Sequence, residues 1–197
     1  MRHEKVDLIF QAAVQIFSDR GFDQAKMDEI AQAAGVAKGT IYYHFDSKED
    51  LFVGLMNEGL SQLTQYVERN LEGAFTASDQ LYAIIEAHVQ FFVENGKLAK
   101  LLLNEAFDTQ ERQLQFRAKV RNYISVIDQV IQTGVRNGEF EVKHSQELAV
   151  ALFGAASVMV LHKIYAHDID KQEELQAQTP AILSTLEMIM KNVIKMK

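Results

Sequence analysis

The sequence contains no cysteine, which excludes disulfides, thiolate-ligated zinc and cysteine nucleophiles together. A reducing compartment suits that absence, and cytoplasmic residence is the expectation. Proline occurs once and glycine ten times in 197 residues, while Ala, Leu, Gln, Glu, Lys and Met recur throughout, so intrinsic propensity favours helix nearly everywhere. Positive charge is in deficit as well: the formal net charge is −7, which counts against a bulk electrostatic hold on nucleic acid. Residues 1–50 carry six Lys or Arg against nine Asp or Glu, so a DNA-binding face there has to come from local segregation of charge. The most apolar stretch, Leu148 to Leu161, falls short of the ~20 residues of a bilayer span and is flanked by Glu147, His162 and Lys163; it reads as a buried helix. Charge within Met1 to Asp7 leads into no apolar stretch with a cleavage site, so no export signal is expected.

What is present is apolar periodicity, in a chain with 48% hydrophobic residues and therefore ample core. Val6, Ile9, Phe10, Ala13, Ile16 and Phe17 make one helical stripe over residues 3–20, stopped by Gly21, with Phe22 placed to pack back on the last turn. Short helices are predicted from about Met27 to Ala34 and from Ala37 or Lys38 to His44. Ser47 can cap a long helix reaching about Leu71, with Glu49 and Asp50 in its first turn. Further helices follow from a cap at Thr76 to Asp79 as far as Asn95, from Leu98 to Phe107, and from Gln110 to Asn137. Residues 145–165 are apolar on nearly every side and are expected to be buried all round, with Gly154, Ala155, Ala156 and Ser157 where another backbone could approach. In the last helix, Pro180 either opens the first turn behind a Thr179 cap or kinks a longer helix begun near Gln172. The chain thus reads as all-α, about nine helices, with a small head at residues 1–47 packed directly on a larger body at 48–197.

Residues 26–45 carry the strongest signal. Read as two helices joined by a tight turn, the segment explains its residues position by position. Ala31 is small at a steep crossing, Gly35 can take the positive φ of the turn, and Ile30, Ala34, Val36 and Ile41 face inward. The outward face of the second helix is then Lys38, Gly39, Thr40, Tyr42, Tyr43 and His44, and no acidic residue lies between Gln32 and Phe45. Lys38 and Thr40 stand at the helix start, where a helix-turn-helix presents side chains to base edges in the major groove. Gly39 permits close approach, and Tyr42, Tyr43 and His44 offer donors to phosphates and ring faces to thymine methyls. Lys26 can supply a further phosphate contact. Lys48, at the positive end of the next helix, is expected to act as a phosphate clamp.

The run Gly35-Val36-Ala37-Lys38-Gly39-Thr40-Ile41-Tyr42-Tyr43-His44-Phe45, followed by Lys48-Glu49-Asp50-Leu51, resembles the signature of the TetR family of regulators. The resemblance implies a three-helix DNA-binding head, a helical ligand-binding body and a homodimer built from the last two long helices. Ala25 and Lys26 stand where many members carry a capping Thr or Ser. The implied function is a ligand-responsive transcriptional regulator, with double-stranded operator DNA, a small hydrophobic effector and a second copy of itself as partners. No membrane partner, cofactor, metal or catalytic residue is expected. The alternative is a helical carrier or interaction protein that does not bind operator DNA, for which the acidic first fifty residues speak.

For the effector pocket, polar residues beside apolar stripes are the candidates: His88, Asn104, Tyr123 and His162, with Phe92, Leu102, Phe107, Phe116 and Ile127 as apolar lining. Within the family this composition resembles regulators that sense fatty acyl thioesters or amphipathic drugs. For the two-fold contact the candidates are Leu152, Phe153, Ala156, Val160, Leu186, Ile189 and Val193. His162, His167, Asp168, Asp170 and Glu173 form the one visible cluster of metal-ligating types; His162 and His167, five apart, do not share a helix face, and a solvated loop is the reading adopted. Lys38-Gly39-Thr40 lacks both the order and the preceding strand of a phosphate-binding loop.

Overall fold

A computed structural model describes residues 4–106, 114–166 and 172–194. Among these residues it contains ten helices: α1 (Glu4–Gln24), α2 (Met27–Ala33), α3 (Lys38–His44), α4 (Lys48–Asn70), α5 (Ala77–Glu94), α6 (Gly96–Ala106), α7 (Leu114–Arg136), α8 (Ser145–Ala166), α9 (Gln172–Ala177) and α10 (Thr179–Val193). The all-α reading stands, and the predicted boundaries hold to within a few residues. The helical backbone of α1 breaks at Gly21, with φ 77° and ψ 165°. Ser47 caps α4 by accepting from the Asp50 backbone N–H at 3.0 Å. Thr76 and Asp79 form a reciprocal capping box at the start of α5.

The head is a three-helix unit closed by the first turns of α4. Ile9, Ala13 and Phe17 of α1 share a core with Ile30, Ala31, Ile41 and Phe45, and Leu51 and Phe52 of α4 complete it. Phe52 meets Phe17 and Phe22 edge-on, with ring centroids 5.1 and 5.0 Å apart. Further along, Leu55, Leu60, Leu63 and Val67 of the same helix are buried, and α4 packs on α5, α6 and α7. One rigid helix therefore belongs to both cores. α6 adds a second junction by packing directly on α1.

In the body, α5 is central and touches α4, α7, α8 and α10. After α7 the chain folds Phe140 back over Gly134, whose missing side chain leaves the room: a methyl there would lie within the Phe140 ring. The Glu139 and Phe140 amides close that turn by donating to the Gly134 carbonyl. At the last junction, α9 and α10 are separate helices with Gln178 between them, and Pro180 lies in the first turn of α10. The N-cap is Gln178, with no side-chain cap, and not Thr179 as the sequence suggested. Proline lacks the N–H that would continue α9 and crowds the preceding turn, so the helix begun at Gln172 is interrupted at Gln178, whose backbone stays helical at φ −85° and ψ −15°.

The expectation for α8 needs correction. The helix is 22 residues long, and by length and composition alone it could cross a membrane, with a mean hydropathy of 1.7. It is not buried all round in the protomer: Val150 is 50% exposed and Val158 54%, and a Cβ built on Gly154 meets nothing within 4 Å. Its inner face, with Ala149, Leu152, Phe153, Ala156 and Val160, packs into the body.

Candidate functional site

The turn between α2 and α3 follows from local chemistry. Gly35 takes φ 66°, a conformation side chains rarely adopt, and the Val36 amide donates back to the Ala31 carbonyl at 3.0 Å. Ala31 and Ile41 are buried at the crossing. The outer face of α3 is then what the sequence anticipated in direction. Lys38, Gly39, Tyr42 and Tyr43 are exposed, Tyr43 at 82%, while Thr40 and His44 are half-buried. The His44 ring stands edge-on to Tyr43, centroids 5.0 Å apart. Lys26 is exposed as the N-cap of α2 and makes no side-chain cap, so the first-turn amides of α2 lack the Ser or Thr partner that residues 25 and 26 do not supply.

Two cations are engaged within the fold. Lys38 Nζ donates to Asp28 Oδ2 at 2.8 Å and lies 5.9 Å from the Tyr42 ring centroid; the Asp28 hydrogen bond and charge raise its pKa. Lys48 is not available in the way the sequence implied. Its Nζ donates to the carbonyls of Phe22, Asp23 and Ala25 at 2.7, 3.1 and 3.1 Å and lies 4.5 Å from the Phe22 ring centroid. All three ammonium protons are used on carbonyls just past the break in α1, so in the free protein Lys48 braces the head, and a phosphate would have to displace these carbonyls to reach it. The structure also brings Lys5 of α1 to the rim of α3, in a shallow groove shared with Gly39, Thr40, Tyr43 and His44. Lys5 was missed because only tertiary packing sets α1 beside α3.

In the body, His88 is fully buried between α5, α7 and α8. Its Nδ1 lies 3.0 Å from the Tyr123 hydroxyl and its Nε2 3.1 Å from Ser157 Oγ. The rings of Phe92 and Phe153 enclose it, at 4.4 and 5.4 Å between centroids. Burial pushes the His88 pKa down to about 3, so the imidazole is neutral, and burial raises that of Tyr123. Three predicted pocket residues, His88, Phe92 and Tyr123, thus do meet. Leu102, Phe116 and Ile127 are buried; Asn104 and His162 face solvent and line no interior site, because each falls on the outer side of its helix. Asn104 instead accepts from the Tyr165 hydroxyl at 3.3 Å. Phe107 lies outside the described residues.

Two clefts flank this centre. One, of about 680 Å³, lies between head and body and is lined by Asp7, Phe10 and Val14 of α1, Glu58 and Gly59 of α4, and Lys97 of α6. The other, of about 420 Å³, runs between α4 and α7, with Thr64, Lys119 and Tyr123 on its walls.

The predicted dimer residues require correction. Leu152, Phe153, Ala156, Val160 and Leu186 are buried inside the protomer and cannot reach a second copy without unpacking the body. Ile189 is half-buried, and the side chain of Val193 lies outside the described residues. Exposed large hydrophobic side chains on these helices are Val150, Val158 and Tyr165 of α8 and Met188 of α10, of which Tyr165 bonds Asn104. Sequence reasoning missed them because an all-apolar helix gives no sign of which side turns inward. Of the candidate metal cluster, His167, Asp168 and Asp170 lie outside the described residues, and no group of three potential ligands occurs among the described ones.

Comparison with known proteins agrees with this layout. Residues 9–55 match the family model for bacterial regulatory proteins of the tetR family, and residues 74–161 match the model of a tetracyclin repressor-like C-terminal domain. The fatty acid metabolism regulator protein of Bacillus subtilis is 26% identical over 185 residues, spanning 90% of this chain and 91% of its own. The transcriptional activator FasR of Mycolicibacterium smegmatis is 30% identical over 77% of this chain and 68% of its own. Among solved structures, FadR from Bacillus subtilis in complex with stearoyl-CoA superposes with a TM-score of 0.77 at 25% identity, over 91% of this chain and 96% of that one. With both family models matched in order and the helix-turn-helix where the first requires it, the chain belongs to the TetR family of transcriptional regulators.

Proposed function

We propose that the protein is a homodimeric regulator that binds a palindromic operator and leaves it when a fatty acyl thioester binds the body. The observation that carries the reading is the outer face of α3: Gly39, Tyr42 and Tyr43 are exposed and Thr40 half-buried, on a helix that carries no acidic residue and is fixed by Ile41 and the Gly35 turn. The effector class is favoured by similarity to a fatty acid metabolism regulator that runs through the body as well as the head. The stearoyl-CoA bound by the FadR of similar fold points the same way.

The body holds a buried polar centre at His88, Tyr123 and Ser157, and the cleft of about 420 Å³ between α4 and α7 reaches it at Tyr123, which offers an acyl thioester a place to enter. A second copy is assigned to the exposed face of α8 and α10, where Val150, Val158 and Met188 would otherwise remain in water. Such a dimer sets two α3 helices roughly 34–36 Å apart, one turn of DNA, with residues 1–47 as the reading head. Movement of α4 and α6, which bridge head and body, would change that spacing.

The test is a mobility shift with DNA from upstream of the protein's own gene, across salt concentrations, with stearoyl-CoA, free CoA or stearate added. A sequence-specific shift abolished by stearoyl-CoA and not by CoA supports the reading. A specific shift indifferent to all three discards the effector class, and no specific shift at any salt favours the carrier alternative. Linkage requires DNA to weaken acyl-CoA binding by the same factor.

A further inference from the structure

The head is acidic overall, and the pairing of Lys38 gives that acidity a use. Lys38 opens α3, where the positive end of the helix dipole disfavours an ammonium. Asp28, in the first turn of α2, reaches across the helix-turn-helix to hold it, Oδ2 to Nζ 2.8 Å, beside the Tyr42 ring. Both side chains are well exposed, at 67% for Lys38 and 57% for Asp28, so water competes with the bond and it is easily exchanged. On the next residue of the same turn, Glu29 Oε2 holds Arg20 Nη1 at 2.9 Å. Two cations of the head, Lys38 and Arg20, are therefore each paired with a carboxylate from α2.

We propose that Asp28 acts as an internal competitor of DNA for the Lys38 ammonium and so holds down the affinity of the head for its operator. Non-specific association is almost wholly electrostatic and scales with the number of phosphates neutralised. A duplex of the wrong sequence meets Lys38 already paired, and a phosphate has to displace a carboxylate to gain one contact. A duplex of the right sequence offers a paired acceptor on a guanine edge, together with the contacts of Thr40 and Tyr42 that bring α3 into the groove. That combined offer exceeds what Asp28 provides. Once displaced, the Asp28 carboxylate remains favourably placed at the positive end of α2. The cost of breaking the pair falls in full on the complex that displaces it, so the competition lowers affinity for the right duplex by about the strength of the pair and for a wrong duplex by no more than that.

The inference rests on the reading of α3 as the operator-contacting helix. It is tested with the full-length protein, comparing Asp28→Asn, Lys38→Gln and the double variant by fluorescence anisotropy. The probes are a duplex selected from a randomised pool by the wild-type protein and a mixed-sequence duplex of equal length. Asp28→Asn is expected to tighten binding to the selected duplex by about two- to fivefold, to tighten binding to the mixed duplex by no more than that, and to steepen the salt dependence by up to about one counterion. In the Lys38→Gln background the same substitution is expected to do nothing. Equal tightening on both duplexes that persists without Lys38 would show plain charge repulsion and overturn the inference. So would weaker binding to the selected duplex, or no change on either. Circular dichroism of each variant separates these outcomes from misfolding, and a charge-reversed pair, Asp28→Lys with Lys38→Asp, restores the contact if the first variants are unstable. Failure of the wild-type protein to enrich any sequence would sink the operator reading itself along with this inference.

Discussion

The ammonium of Lys48, at the start of α4, sits 2.7 Å from the carbonyl oxygen of Phe22, just beyond the break in α1. It also bonds the carbonyls of Asp23 and Ala25, so one side chain ties the first helix to the helix that enters the body. Hydrogen bonds from a charged donor contribute about 1.5–3 kcal/mol, and carbonyls left without a partner carry a cost. Lys48→Met is expected to lower stability by about 1–3 kcal/mol in chemical denaturation. Its effect on DNA binding should track the loss of folded head. A fully folded Lys48→Met protein with a reduced salt dependence of DNA binding would restore Lys48 to the role of a phosphate contact.

Thr40 and Tyr42 present their side chains where the major groove would lie. Thr40→Ala and Tyr42→Ala should each weaken operator binding by about tenfold or more, on the scale of about 1–3 kcal/mol for a good base contact. Helicity and dimerisation should be unchanged, because neither side chain belongs to the buried core of the head. Undiminished binding in a gel-shift titration would remove α3 as the recognition helix.

Stability against pH reports on His88. Its folded-state pKa is pushed down to about 3 by burial, below the ordinary value of 6.5, so the native state excludes a proton that the unfolded chain accepts. The unfolded state therefore binds more protons between about pH 6.5 and pH 3. Stability is fully present above that window and falls as pH drops through it, by about 1.4 kcal/mol per pH unit from this group. Urea melts between about pH 7 and pH 5 should show the slope, and His88→Gln should remove it. An identical slope in the variant would mean that other groups produce it.

The exposed apolar face of α8 and α10 can be separated from the inner one by charge. Val158→Glu and Met188→Glu should give a folded monomer in analytical ultracentrifugation, since both side chains are more than half exposed in the protomer. Val160→Glu should instead prevent folding, because Val160 is fully buried and an unpaired carboxylate there is costly. A dimer that persists in the double variant Val158→Glu, Met188→Glu would place the two-fold contact elsewhere.

Coupling between body and head should run through α6. Lys97 Nζ donates to Gln15 Oε1 at 2.8 Å, and Lys100 Nζ to the Ser18 carbonyl at 3.3 Å, both across the α1–α6 contact. Replacing both lysines with methionine should leave effector and operator affinities, measured separately, within about threefold, on the modest scale of exposed polar pairs. The factor by which stearoyl-CoA weakens operator binding should shrink. An unaltered coupling factor would leave α4 as the sole route.

Secondary structure and the reading head are legible in residue order alone, because their causes are local. The Gly35 turn, the apolar steps from Val6 to Phe17, the Ser47 and Thr76 caps and the break at Gly21 all act within a few residues. The outward direction of Tyr42 and Tyr43 follows once Ile41 is inward, since a 3.6-residue repeat leaves little choice. Which cations remain available, and which apolar faces remain unpartnered, is settled by long-range packing. Lys38 and Lys48 bond to Asp28 and to the carbonyls just past the break in α1, partners ten and more than twenty residues away that no periodicity announces. Lys5 reaches α3 by the same kind of long-range packing. In α8, whose apolar residues run all round, pattern cannot tell inside from outside. Contact with α5 and α7 turns Leu152, Phe153 and Val160 inward and leaves Val150 and Val158 exposed. Residue type sets what a side chain can bond or bury, but the choice among partners of similar chemistry is made by which helices the packed core brings within reach.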